Sequence, residues 1–221
     1  MPRPSPTPRR TFIQRIAASS AALVVGGWSA AAAHPAPERV DGPLSDDWLD
    51  RITGKHRQVF DCVSPNDGFG AAFGLNLLDS YKAAHDLGDR DVTAVVSYRH
   101  AAMPLMLDDA VWAKYHVGEQ LGVKDPATSA IATRNIFRDR IMARPGLTYE
   151  RAIAERGLIM TACNMALTAL SGMLAPKAGV SAEQAKQEWT AGLLPGVVLV
   201  PSGVYAVNRA QEKGCTYCFG G

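Results

Sequence analysis

The chain has 221 residues, 47% of them hydrophobic and 20% charged, with 23 Lys and Arg against 21 Asp and Glu. That length suits one domain with a sizeable core, and its 4 cysteines are too few to build a fold from disulfides. No basic run with interleaved aromatics follows the amino-terminal region, which excludes the usual nucleic-acid binder.

The first segment reads as an export address. Arg9-Arg10, followed by Thr11-Phe12-Ile13-Gln14 and a mildly apolar run over residues 16–27, has the pattern of a twin-arginine signal. Ala31-Ala32-Ala33 offers a small-residue cleavage site before His34. Gly26, Gly27 and the serines make the run weak for a span that needs about 20 apolar residues. The expected order is therefore a signal over residues 1–33, a Pro- and Gly-rich leader over 34–54 and a domain over 55–221. The signal would carry away Arg3, Arg9, Arg10 and Arg15 and no acidic residue, so the net positive charge belongs to the address. The protein is expected outside the cytoplasmic membrane, with the translocase as its partner during export. No membrane span is expected after cleavage.

Beyond the leader, strands and helices alternate. Residues 57–62 read as a first strand, and Ser64-Pro65-Asn66-Asp67-Gly68 as a turn that can cap a helix. Residues 69–87 have helical spacing, with Phe69, Phe73, Leu77, Leu78 and Tyr81 on one side and Gly88 as the stop. Gly68, Gly70 and Gly74 are spaced too widely for a dinucleotide loop and instead suit close packing of helix on sheet. The β-branched run at 92–98 predicts a buried strand. A helix over 108–115 is followed by a long polar stretch, 118–145, of the kind that covers a site, contacts a neighbouring subunit or stays disordered.

Thr148 caps a third helix that Gly157 ends, and residues 158–162 form a third strand. Helical segments at 165–174 and 181–190, a fourth strand at 196–200 and a last helix at 204–213 complete the pattern. Such alternation predicts an α/β fold, a mostly parallel sheet covered on both faces. Ligands in such sheets lie beyond the carboxyl ends of the strands. That rule singles out Cys62, Arg99-His100, Cys163-Asn164 and Pro201-Ser202-Gly203.

Three stretches carry a resemblance. Residues 157–167 (GLIMTACNMAL), 194–204 (LPGVVLVPSGV) and 211–214 (QEKG) are similar to DsrE/DsrF-like proteins. Asn76-Leu77-Leu78-Asp79 and Tyr98-Arg99-His100 fall where that family has its first helix and second strand. The resemblance spans roughly residues 55–217 and implies a flavodoxin-like three-layer fold, assembled as a homo-oligomer. It also implies a cysteine that carries sulfur as a persulfide, and Cys163 sits where the family tends to have it. Cytoplasmic sulfur relays work with reducing partners, whereas an exported thiol meets an oxidising space.

Cys163, at a strand end beside a helix start, is placed to have its thiolate stabilised by free N–H groups. As nucleophile or sulfur carrier it would be served by His100 as proton partner, Arg99 as anchor for a small anion, and Asn164 and Ser202 as polar contacts. The bland alternative is a cysteine packed as a small hydrophobe in a binding or assembly protein. Cys215-Thr216-Tyr217-Cys218 has redox-pair spacing but follows the last helix instead of opening one. Phe219 stands where haem attachment needs histidine, and no second pair completes a zinc site. In an oxidising space a disulfide is expected, within the pair or to Cys62 or Cys163, and Cys62 could alternatively face Cys163 as a resolving partner. No motif demands a cofactor or a metal.

Overall fold

A computed structural model describes residues 44–142 and 144–221; the segment expected to be an export signal and the first part of the expected leader lie outside them. Five strands form one all-parallel sheet: β1 (His56–Cys62), β2 (Val92–Tyr98), β3 (Ile159–Cys163), β4 (Val198–Val200) and β5 (Thr216–Phe219), in the order β4-β3-β2-β1-β5. The flanking helices are α1 (Phe69–His85), α2 (Asp109–Lys114), α3 (Val117–Leu121), α4 (Tyr149–Arg156), α5 (Asn164–Leu174), α6 (Ala182–Ala191) and α7 (Gly203–Glu212). This is the α/β, flavodoxin-like three-layer arrangement expected from the sequence.

Strand order decides which face each helix covers. From β1 to β4 the chain moves one strand at a time in one direction, and right-handed crossovers then put every connecting helix on the same face. After β4 the chain turns back across the sheet to β5 at the far edge, so α7 lies on the other face. Two cores result. Phe60, Leu75, Leu78, Val96, Trp112, Met160, Leu167 and Trp189 belong to the first. Val59, Val95, Ile159, Val200, Ala206 and Ala210 form the second, with Trp48, Leu49 and Ile52 from residues read as leader. Central β2 (VTAVVSY) is buried along its whole length, which explains its unbroken apolar run.

The face that α1 presents to the sheet differs from the expected one. Gly70, Ala71, Gly74, Leu75 and Leu78 are the buried positions, while Phe73, Leu77 and Tyr81 are only half-buried. Small residues let the helix approach closely. A Cβ at Gly70 would sit 2.6 Å from the Cys62 sulfur, and one at Gly74 would lie 3.0 Å from Leu158. The aromatic stripe is displaced towards the β5 edge, where Phe73 packs on Phe60 and Tyr81 stacks on His56. The glycine reading therefore holds, and the aromatic face is corrected.

Capping follows the sequence in part: α1 starts from Gly68 with no side-chain cap and ends at Asp86 (φ 55°), ahead of the expected stop at Gly88, whereas the later helices keep their expected ends. Asp108, Thr148 and Ser181 accept the amide hydrogens of Val111, Arg151 and Gln184, and Gly157 ends α4 at φ 70°. β5 was not anticipated: its four residues are too few for a visible period, and pairing with β1 makes it a strand.

The polar stretch 118–145 is a packed cap around one side chain. Fully buried Asn135 donates from Nδ2 to the carbonyls of Leu105 (2.8 Å) and Leu107 (2.7 Å). Its Oδ1 accepts from the Phe137 amide at 3.2 Å, and its own amide donates to Asp109 at 3.0 Å. Ile136, Phe137 and Ile141 enter the main core beside it. Asn135→Ala would strand two buried carbonyls, so a loss of about 3 kcal/mol in urea-unfolding free energy is expected. A loss under about 1 kcal/mol would show that the cap is held by other contacts.

Candidate functional site

Period-two alternation and the strand register bring a polar row to the carboxyl edge, on the α7 face. Asp61 of β1 stands opposite Ser97 of β2, which stands opposite Thr161 of β3. All three are buried, and the Ser97 and Thr161 hydroxyls have no partner among the described residues. Asp61, 4% exposed, is met by Arg99 in a two-pronged pair, Nε to Oδ1 at 2.7 Å and Nη2 to Oδ2 at 2.9 Å. The Tyr217 hydroxyl of β5 donates to the same carboxylate at 3.2 Å.

Gly203, the first residue of α7, makes room for the stem of Arg99. A Cβ there would lie 2.4 Å from the Arg99 Cβ and 2.8 Å from its Cδ. The pair therefore joins β1, β2, β5 and the start of α7. The Asp61 hydrogen bond holds the Arg99 guanidinium above its ordinary pKa, with smaller electrostatic help from Tyr217 and Cys163.

Cys163 ends β3 and occupies the cap position of α5, where its sulfur accepts the Ala166 amide hydrogen at 3.3 Å. The side chain is 6% exposed. Asn164 follows, 8% exposed, with Oδ1 unpartnered. The Ser202 oxygen accepts the Tyr205 amide hydrogen at 3.2 Å and so serves first as the α7 cap. Cys163, Asn164, Arg99 and Ser202 all lie at the carboxyl edge of the sheet.

His100 does not join them by hydrogen bond. It is exposed, has φ 51°, opens a short 3-10 turn and makes no side-chain hydrogen bond or ion pair among the described residues. The proton role expected for it finds no contact with Cys163.

The sheet separates Cys163 from Cys62, and Cys215 from Cys218. All four cysteines are free. β2 separates Cys62 from Cys163, putting the two strands about 10 Å apart, beyond disulfide reach. The expected resolving contact between them is therefore absent. Cys62 is wedged where a Cβ on Gly70 or Gly220 would strike its sulfur, and burial, with Asp61 and Cys218 adding to it, pushes its thiol up to about 12. Cys215 lies in the α7-side core, where burial raises it to about 11. Cys218 faces the opposite core. Three residues of extended chain span about 10 Å, so this pair cannot close a disulfide while β5 is a strand. Among the described residues no three His, Cys, Asp or Glu side chains converge to hold a metal.

Two site residues escaped sequence reading: Asp61 and Tyr217. The available signal for Asp61 was a lone carboxylate inside an apolar strand, which must find a cation when buried. Tyr217 had none, because its strand was not visible.

No family model, curated protein or solved structure matches this chain. Its class is thus defined by its own geometry: a three-layer α/β protein with a capped thiol and a clasped arginine at the carboxyl edge of a parallel sheet.

Gly203→Ala should force Arg99 off Asp61 and cost about 2 kcal/mol in chemical denaturation. In an Arg99→Gly background, which removes the Cβ that the new methyl would strike at 2.4 Å, most of that cost should vanish, and equal costs in both backgrounds would place the strain elsewhere. In the folded protein Cys62 and Cys215 should resist iodoacetamide at pH 8. They should label only on unfolding or as pH approaches 11 to 12. The stability linked to these raised thiols is whole below the unfolded value of 9.0 and is lost as pH rises through the folded values. Rapid labelling of Cys62 in native protein at pH 8 would contradict this burial.

Proposed function

We propose that this is an exported DsrE/DsrF-like protein that binds a small sulfur-containing anion and takes up its sulfane sulfur on Cys163. The observation that carries the reading is the Cys163 sulfur at the start of α5, accepting the Ala166 amide hydrogen at the same sheet edge as Arg99. The Arg9-Arg10 signal supports export, and residues 157–167 and 194–204 support the family. A twin-arginine route, which carries folded cargo, accords with a homo-oligomer.

With thiosulfate as the donor, the Cys163 thiol first gives its proton to solvent. The thiolate then attacks the outer sulfur, a new S–S bond forms, and the old one breaks with its electron pair leaving on sulfite. Cys163 is left as a persulfide anion, and the Arg99 Nη1 group, which has no hydrogen-bond partner among the described residues, the Asn164 side chain and the Ser202 hydroxyl are the polar groups at the same sheet edge for the oxyanion.

A second reading has its own support. Asp61 already matches the Arg99 charge with two hydrogen bonds, as befits a binding or assembly protein whose cysteines are structural. Mass spectrometry of reduced protein after exposure to thiosulfate or polysulfide separates the two. The sulfur-carrier reading expects one added sulfur on the Cys163 peptide, removable by dithiothreitol and absent in Cys163→Ser. An unmodified Cys163, or sulfur on Cys218 alone, would favour the structural reading.

A further inference from the structure

We propose that the groove between the turn after β1 and the segment linking α3 to α4 binds a small organic anion with an apolar body. The groove has a volume of about 1050 Å³, at the upper end of what small-molecule sites enclose. It is distinct from the thiol site, since neither Arg99, Cys163 nor Ser202 lines it. It flanks the turn after β1, at the edge where parallel sheets take their ligands.

Its floor is apolar and firm. Ile136, Phe137 and Ile141 are buried there, and Phe137 packs edge-on against Trp112. Its walls carry the charge. Arg144 is taken by Asp79 and Asn76, and Asp139 by Arg134. Lys124 and Arg140 have no carboxylate partner among the described residues, against one unpaired acid, Asp67. The remaining balance favours an anion.

The rim is preset. Asn66 and Asp67 stand in the left-handed region at φ 40° and 47°, which costs energy for non-glycine residues. Tertiary contacts hold them there: Asn66 Nδ2 donates to the Gly220 carbonyl at 2.9 Å, and the Val63 and Ser64 amides donate to the Gly221 carbonyl at 2.6 and 3.0 Å. Strain so maintained keeps the groove mouth in one shape before a ligand arrives.

Fluorescence titration of the full chain with 8-anilinonaphthalene-1-sulfonate, and with N-phenyl-1-naphthylamine as its uncharged counterpart, tests this. One saturable site is expected, with the sulfonate bound about fivefold more tightly. The Lys124→Ala/Arg140→Ala variant, altering two exposed side chains, should lose that preference and leave the uncharged probe unaffected. Met173→Ser, which removes an exposed apolar side chain on α5, should change neither affinity. Absence of saturable binding, equal affinity for the two probes in the unsubstituted protein, or weakening by Met173→Ser would each overturn the proposal.

Discussion

A carboxylate buried in the middle of a parallel sheet cannot remain charged alone, and the carboxyl edge of this protein is organised around that constraint. Desolvating an ion costs several kcal/mol even after the protein relaxes. Asp61 recovers it from Arg99 on the neighbouring strand and Tyr217 on the strand beyond. The arginine can reach back only because α7 begins with a glycine laid against its stem. One ion pair thus sets how closely α7 approaches the sheet and gives β5 a polar anchor. The Cys163 sulfur takes its hydrogen bond instead from the amide at the start of α5.

The cysteines show how a sheet assigns chemistry that spacing leaves open. Two cysteines three residues apart can close a redox pair on a helical turn. Here, on the extended chain leading into β5, the same spacing sends them into different cores. Cys62 lies one strand too far from Cys163 to reach it. Of the four thiols, only Cys163 combines a strand end with a helix start, and this combination follows from the fold.

Much of the frame was legible from residues alone. The unbroken apolar run of β2, the caps Asp108, Thr148 and Ser181, and the stop at Gly157 each act over a few residues, so local chemistry suffices to find them. The aromatic stripe of α1 misled for the complementary reason. Helical spacing gives a periodicity but not which face approaches the sheet most closely, and steric fit favoured Gly70, Ala71 and Gly74. Residues 118–145 read as a polar stretch from their many charged and polar side chains, yet the Asn135 amide within them serves buried carbonyls about 30 residues upstream.

The sequence by itself determined the element types, their order and the candidate thiol at a strand end, because periodicity, capping and strand-helix alternation are short-range properties. Tertiary structure alone decided the strand order, the fifth strand, the partners of Asp61 and the separation of the cysteines. Each of these depends on where a distant segment comes to rest, and burial of apolar surface on both faces of the sheet decides that collectively.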